Sequence, residues 1–102
     1  MLGKQLSVVV TRRLPEVVET RLKELFDVKL RDDDTPMTSE ELADAMGHAD
    51  VLVCTITDQI DAKLLGRSGE KLKLIANFGA GVDHIDVATA RQRGIHVSKS
   101  PI

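Results

Sequence analysis

The sequence predicts one α/β domain, a doubly wound five-stranded parallel sheet in strand order 2-1-3-4-5 with helices on both faces. Three observations predict it. Short β-branched or aliphatic runs alternate with segments of helical periodicity, giving the order βαβαβαβαβ. Runs such as Val8-Val9-Val10 and Val51-Leu52-Val53 are continuously apolar, as in strands buried on two sides. The length of 102 residues suits one compact domain and not two.

The first strand is Val8-Val9-Val10. Pro15 then suits the first turn of a helix, where its missing N–H costs little. Leu14, Val17, Val18, Leu22 and Leu25 give that helix one apolar stripe. Asp27 to Leu30 is the second strand. Asp32-Asp33-Asp34 reads as a solvated loop, since three adjacent carboxylates diverge in direction and make a poor metal site. Thr38 and Glu41 have capping-box spacing and open a second helix through Met46. Asp50 to Thr55 is the third strand. A short third helix carries Leu64 and Leu65 and stops near Gly66 and Gly69. Leu74-Ile75-Ala76 is the fourth strand. Asp86 caps a fourth helix that ends at Gly94, and Ile95-His96-Val97 is the fifth strand. Right-handed crossovers lay the helices over the sheet, and five strands in this length suit a flavodoxin-like order.

Composition narrows the function. Phe26 and Phe78 are the only aromatic residues, too few for a base-stacking platform. A formal charge of −2 supplies no basic field for a phosphate backbone, so nucleic acid is excluded as a partner. Cys54 is the only cysteine, which rules out an internal disulfide or a cysteine zinc cluster and fits a reducing, cytoplasmic setting. The opening residues are too briefly apolar for a signal-peptide core, and no stretch approaches a membrane span.

In open parallel sheets, ligands bind beyond the carboxyl ends of the strands. Three loops fall there: Thr11-Arg12-Arg13, Thr57-Asp58-Gln59, and Asn77 to His84. The last holds Gly79-Ala80-Gly81 directly after a strand. Two glycines around a small residue can turn successive N–H groups toward an anion such as a carboxylate. The same residues also serve as a bare strand-to-helix turn. They are not a dinucleotide fingerprint, which needs a third glycine, nor a P-loop, which needs Lys-Ser or Lys-Thr.

Leu72 to Pro101, reading LKLIANFGAGVDHIDVATARQRGIHVSKSP, resembles the end of the N-terminal segment of D-isomer-specific 2-hydroxyacid dehydrogenases. The opening Val9-Val10-Thr11-Arg12-Arg13-Leu14-Pro15 is similar to the glyoxylate/hydroxypyruvate reductase branch, and Val53 to Asp61 is compatible with it. The resemblance spans the whole chain. It implies a substrate domain split in sequence by a Rossmann NAD(P) domain, with the crossing at Lys99-Ser100-Pro101, which departs from the family's Asn-Thr-Pro. Residues 1–102 are then the N-terminal segment of that domain. The resemblance also implies that amides around Ala80 and Gly81 hold the carboxylate of a small 2-keto or 2-hydroxy acid. The family's substrate arginine, acid–base histidine, its carboxylate partner and the glycine-rich cofactor loop lie beyond the crossing. No catalytic residue is carried over, and neither NAD nor NADP is expected to bind these residues. The family's C-terminal helix would cover one sheet face, so without it or the NAD domain self-association through that face is expected.

Other residues have plainer roles. Arg12 and Arg13 sit at the edge where they could attract an anionic substrate, or they form a solvated pair or an interdomain salt bridge. His84 and Asp86 invite reading as an acid–base pair. A local loop hydrogen bond for His84 and helix capping for Asp86 are simpler. The pairing of Asp83 with Asp86 for general acid–base work meets the same objection. His48 and His96 read as half-exposed structural residues flanking strands, and Cys54 as an inert core thiol. Two further functions compete: a stand-alone, non-catalytic module for small carboxylates, and a receiver-like or flavodoxin-like domain. The last lacks acidic residues after its first and third strands and a Ser/Thr/Gly phosphate loop after the first.

Overall fold

The computed structural model describes residues 6–31, 35–79, 81 and 83–99. Its elements run β1 (Ser7–Val10), α1 (Glu16–Leu25), β2 (Asp27–Lys29), α2 (Ser39–His48), β3 (Val51–Cys54), α3 (Ala62–Leu65), β4 (Leu74–Asn77), α4 (Val87–Gln92) and β5 (His96–Lys99). All four strand pairs are parallel, and the order is β2-β1-β3-β4-β5, as expected.

The continuous valine run of β1 is explained by burial on both sides. Val9 joins one apolar cluster, while Val8 and Val10 join the other. On the first face, α2, α3 and α4 cover the sheet through Met46, Leu65 and Ala90 against Leu52 and Ile75. Complete burial of each large aliphatic side chain there is worth about 1.5–3 kcal/mol. On the second face, α1 and the residue before its cap lay Val18, Leu22 and Leu14 over Val8, Val10 and Val53, and among the described residues α1 is the only helix there.

Helix ends follow local chemistry. Glu41 N donates to Thr38 Oγ1 at 3.2 Å and Thr38 N to Glu41 Oε1 at 2.9 Å, closing the capping box. The helix runs two residues past Met46, to His48, because Ala49 N still reaches Ala45 O at 3.0 Å. Asp61 and Asp86 cap α3 and α4. Gly94, at φ +78°, ends α4 with paired bonds from Ile95 N to Ala90 O (2.9 Å) and Gly94 N to Arg91 O (3.0 Å). This is a Schellman ending, and its left-handed residue favours glycine.

Several boundaries differ from expectation. Pro15 stands at the N-cap, one residue ahead of α1, where its carbonyl accepts from Val18 N and Glu19 N. The predicted stripe is too wide: Val17 is 77% and Leu25 47% exposed. Residue 17 lies about 100° around the helix from residue 18, and a lone helix over β1 and β2 buries only one line of side chains. Leu30 falls outside β2, and Asn77 is added to β4. Ile95 belongs to the α4 ending, so β5 starts at His96. The triple aspartate lies outside the described residues. Among the described residues, no helix is long and apolar enough to cross a membrane, and no group of His, Cys, Asp and Glu is placed to hold a metal ion.

Candidate functional site

The carboxyl ends of β1, β3 and β4 meet as the sequence predicts, and the sequence had singled out Arg12 and His84 but not Thr11, Asp58 or Asn77 among the side chains that link them. Thr11 extends β1, with its N–H on Val53 O at 3.0 Å, and is fully buried. Its hydroxyl donates to Asp58 Oδ2, which also accepts Thr55 N at 2.9 Å. Asp58 is 1% exposed, and its Oδ1 has no hydrogen-bond partner among the described residues. Alongside, Arg12 donates from a terminal guanidinium nitrogen to Thr57 Oγ1 at 2.9 Å. Arg13 Nε lies 3.9 Å from Glu19 Oε2, an oxygen that also accepts Leu14 N. The crevice between β1 and β3, where the strand order reverses, is therefore bridged.

The opening lies one strand over. Asn77, the last residue of β4, is 2% exposed. Its Nδ2 donates to Gly81 O at 2.7 Å and to Gly79 O at 3.3 Å. Its Oδ1 faces His84 Nε2 at 2.8 Å and Cys54 Sγ at 3.6 Å. Two carbonyl oxygens on one side fix that side as the NH2, so His84 must donate at Nε2. Gly79 has φ +148°, a conformation L side chains rarely adopt. A Cβ at Gly81 would meet nothing within 4 Å, so the chain there faces open space. Ile60 N donates to His84 O (2.9 Å) and Asp86 N to Ile60 O (2.8 Å), so the β3 and β4 loops are joined by a short parallel bridge, Ile60 to Ile85. Ile56, Gln59, Gly81, Asp83 and His84 line a concavity of about 270 Å³ between them.

Of the predicted binding residues, Gly79 and Gly81 are held by Asn77, while Ala80 lies outside the described residues. Arg12 and Arg13 both sit on the carboxyl edge, each with a partner inside the domain. The His84–Asp86 and Asp83–Asp86 pairings do not form as acid–base units. Asp86 accepts from Thr89 N at 3.0 Å and Thr89 Oγ1 at 2.9 Å, as a helix cap does. His84 makes the local bond to Asn77 instead. His48 and His96 are exposed rather than half-exposed, and His96 lies within β5. Burial, helped by the nearby charge of Asp58, pushes the Cys54 thiol up to about 12, so it is an inert core thiol at neutral pH.

Asn77 and Asp58 are the residues the sequence reading missed. One signal was available: an asparagine closing the aliphatic run Leu74-Ile75-Ala76 just before Gly-x-Gly. A buried carboxamide at a strand end must find partners, and a following loop is the nearest source.

A dinucleotide does not fit these residues. The glycine loop leads into a turn and the Ile60–Ile85 bridge, not directly into a helix whose N-terminus could meet a pyrophosphate. The N-terminus of α4 is already taken by the Asp86 carboxylate.

The parallel sheet in order β2-β1-β3-β4-β5, with a clamped glycine loop at its carboxyl edge, places the chain in the class of doubly wound α/β domains. Residues 8–102 match the family model "D-isomer specific 2-hydroxyacid dehydrogenase, catalytic domain", and the chain belongs to that family. It is 40% identical over 96 residues to a glyoxylate reductase of Thermofilum pendens, covering 93% of this chain and 28% of that one. The human glyoxylate reductase/hydroxypyruvate reductase is 32% identical over 98 residues, covering 94% and 30% respectively. A crystal structure from Polaromonas sp. JS6 66, whose description names the same family and NAD binding, superposes with a TM-score of 0.84 at 36% identity. It covers 90% of this chain and 29% of that one. The chain thus spans under a third of the length of these relatives.

Proposed function

We propose that the loop at Gly79, Ala80 and Gly81 holds the carboxylate of a small 2-keto or 2-hydroxy acid. On this reading, residues 1–102 are the N-terminal segment of the substrate-binding domain of a reductase acting on glyoxylate, hydroxypyruvate or a similar acid. The observation that carries it is the Asn77 carboxamide drawing two loop carbonyls inward. With those two carbonyls tied to the strand end, the loop is held in one conformation at the carboxyl edge, where main-chain amides can meet a carboxylate. Each charge-assisted bond from such an amide to a carboxylate contributes about 1.5–3 kcal/mol. Arg12 and Arg13 add positive charge at the same edge and steer the anion inward. Family membership supports NAD or NADP as hydride source, bound by another part of the protein, since the residues present do not fit it. The lone buried thiol supports a reducing, cytoplasmic setting.

An NMR titration of the chain with glyoxylate tests the carboxylate site. Shifts confined to residues 78–83 are expected, and none at high millimolar ligand would overturn the reading. Purified 1–102 is expected to reduce no 2-keto acid with NADH or NADPH, and turnover would place the catalytic groups within it. The face carrying α1 leaves Leu74, Ala76 and Phe78 only partly buried. Further chain of the same protein or a second copy of this one covers it, and a monodisperse monomer in sedimentation would argue against self-association.

A further inference from the structure

We propose that Asn77 is the positioning residue of the carboxylate loop, with His84 as its lock; this rests on the carboxylate reading above. On its face of the sheet, Asn77 continues a row of apolar residues, since Leu52, Ile75 and Cys54 all pack into the same core. Nothing in that packing calls for a carboxamide, and a buried amide left unpaired costs about 1–3 kcal/mol. The cost is avoided because the loop takes up most of its polar capacity, with two carbonyls on the NH2 and one imidazole on the oxygen. The weak Cys54 thiol donor is the one contact from the sheet among the described residues. The backbone of Asn77 is fixed by strand pairing with Cys54 on one side and Lys99 on the other. The side chain therefore transmits the rigidity of the sheet to the loop. His84, itself held through its carbonyl by Ile60 N, stops the carboxamide from rotating. A loop restrained in this way has its ordering entropy removed before the ligand arrives, which is what raises affinity.

The test compares glyoxylate affinity, measured from amide shifts, with ligand-free order at Gly79 and Gly81, measured by 15N relaxation. The wild-type chain is set beside Asn77→Asp, His84→Leu and His84→Gln. Asn77→Asp replaces the donor with an oxygen facing two carbonyl oxygens, and is expected to weaken binding at least about tenfold and to loosen both glycine amides. His84→Leu unlocks the carboxamide and weakens binding about threefold, while His84→Gln, with a donor at similar reach, restores it to within about twofold. Wild-type affinity in folded Asn77→Asp or His84→Leu overturns the proposal, as does His84→Gln behaving like His84→Leu. If Asn77→Asp fails to fold, the histidine pair decides. Absence of glyoxylate binding in the wild type sinks the carboxylate reading itself and this role with it; wild-type binding with insensitive variants sinks only the role of Asn77.

Discussion

At the amino-terminal edge of the sheet, neighbouring strands are joined mainly by main-chain bonds. Asp27 N reaches Leu6 O, Asp50 N reaches Ser7 O, Lys73 N reaches Asp50 O and His96 N reaches Lys73 O, all within 3.1 Å. Among the described residues only Asp50 adds a side chain, accepting Ser7 N at 2.8 Å with Lys71 Nζ 3.8 Å away. At the carboxyl edge, main-chain bonds such as Thr11 N to Val53 O and Phe78 N to Cys54 O are supplemented by buried side-chain links. Thr11, Asp58, Asn77 and His84 are all buried there, and Asp58 keeps one oxygen without a partner among the described residues. Buried polar groups are a costlier way to join strands than main-chain bonds. Their concentration at one edge marks where loop geometry, rather than stability alone, constrains the sequence.

Replacing the side-chain joint at each edge breaks or sharpens this contrast. Asp58→Ala removes the acceptor of a buried hydroxyl and of Thr55 N, and is expected to cost about 2 kcal/mol in denaturant unfolding, the largest effect. Adding Thr11→Val should recover part of that loss, because removing both partners leaves nothing unpaired. Asp50→Ala, at the half-buried opposite edge, should cost about 1 kcal/mol. A larger loss at Asp50 than at Asp58 would invert the comparison. The smallest effect at neutral pH concerns Cys54. Folding holds its proton to about 12 against an ordinary 9.0, so the folded state binds more protons than the unfolded state between those values. That contribution is complete below the lower value and fades as pH rises toward the upper one. Unfolding midpoints near about pH 8 and about pH 10.5 should therefore diverge less in Cys54→Ala than in the wild type. The native thiol should resist thiol reagents until the chain unfolds.

The fold was legible because its signals are local and repeated. Valines at consecutive positions announce strands covered on both sides, and Thr38 with Glu41, Asp86, and Gly94 each mark a helix end by chemistry that acts within a few residues. Val17 misled because helical periodicity does not say how wide a face the sheet will cover, whereas Leu25 lies on the line of Val18 and Leu22 but is exposed at the last residue of α1. The glycine loop was legible as a turn near a ligand edge. What holds it was legible only in part: a local loop bond for His84 was expected, but Asn77 as its partner was not, and Asp58 meets Thr11 across 47 residues. Single polar residues leave no periodic trace, and their partners are set by tertiary structure.

The bridge between Ile60 and Ile85 turns the stretch after β4 into a hoop anchored at both feet by main-chain atoms. The described crown residues Gly81 and Asp83 are exposed, and those anchors use neither side chain. If the loop holds the carboxylate as proposed, substitutions at Asp83 would alter what the mouth accepts while the frame stays put, which separates evolvability of the ligand from integrity of the sheet.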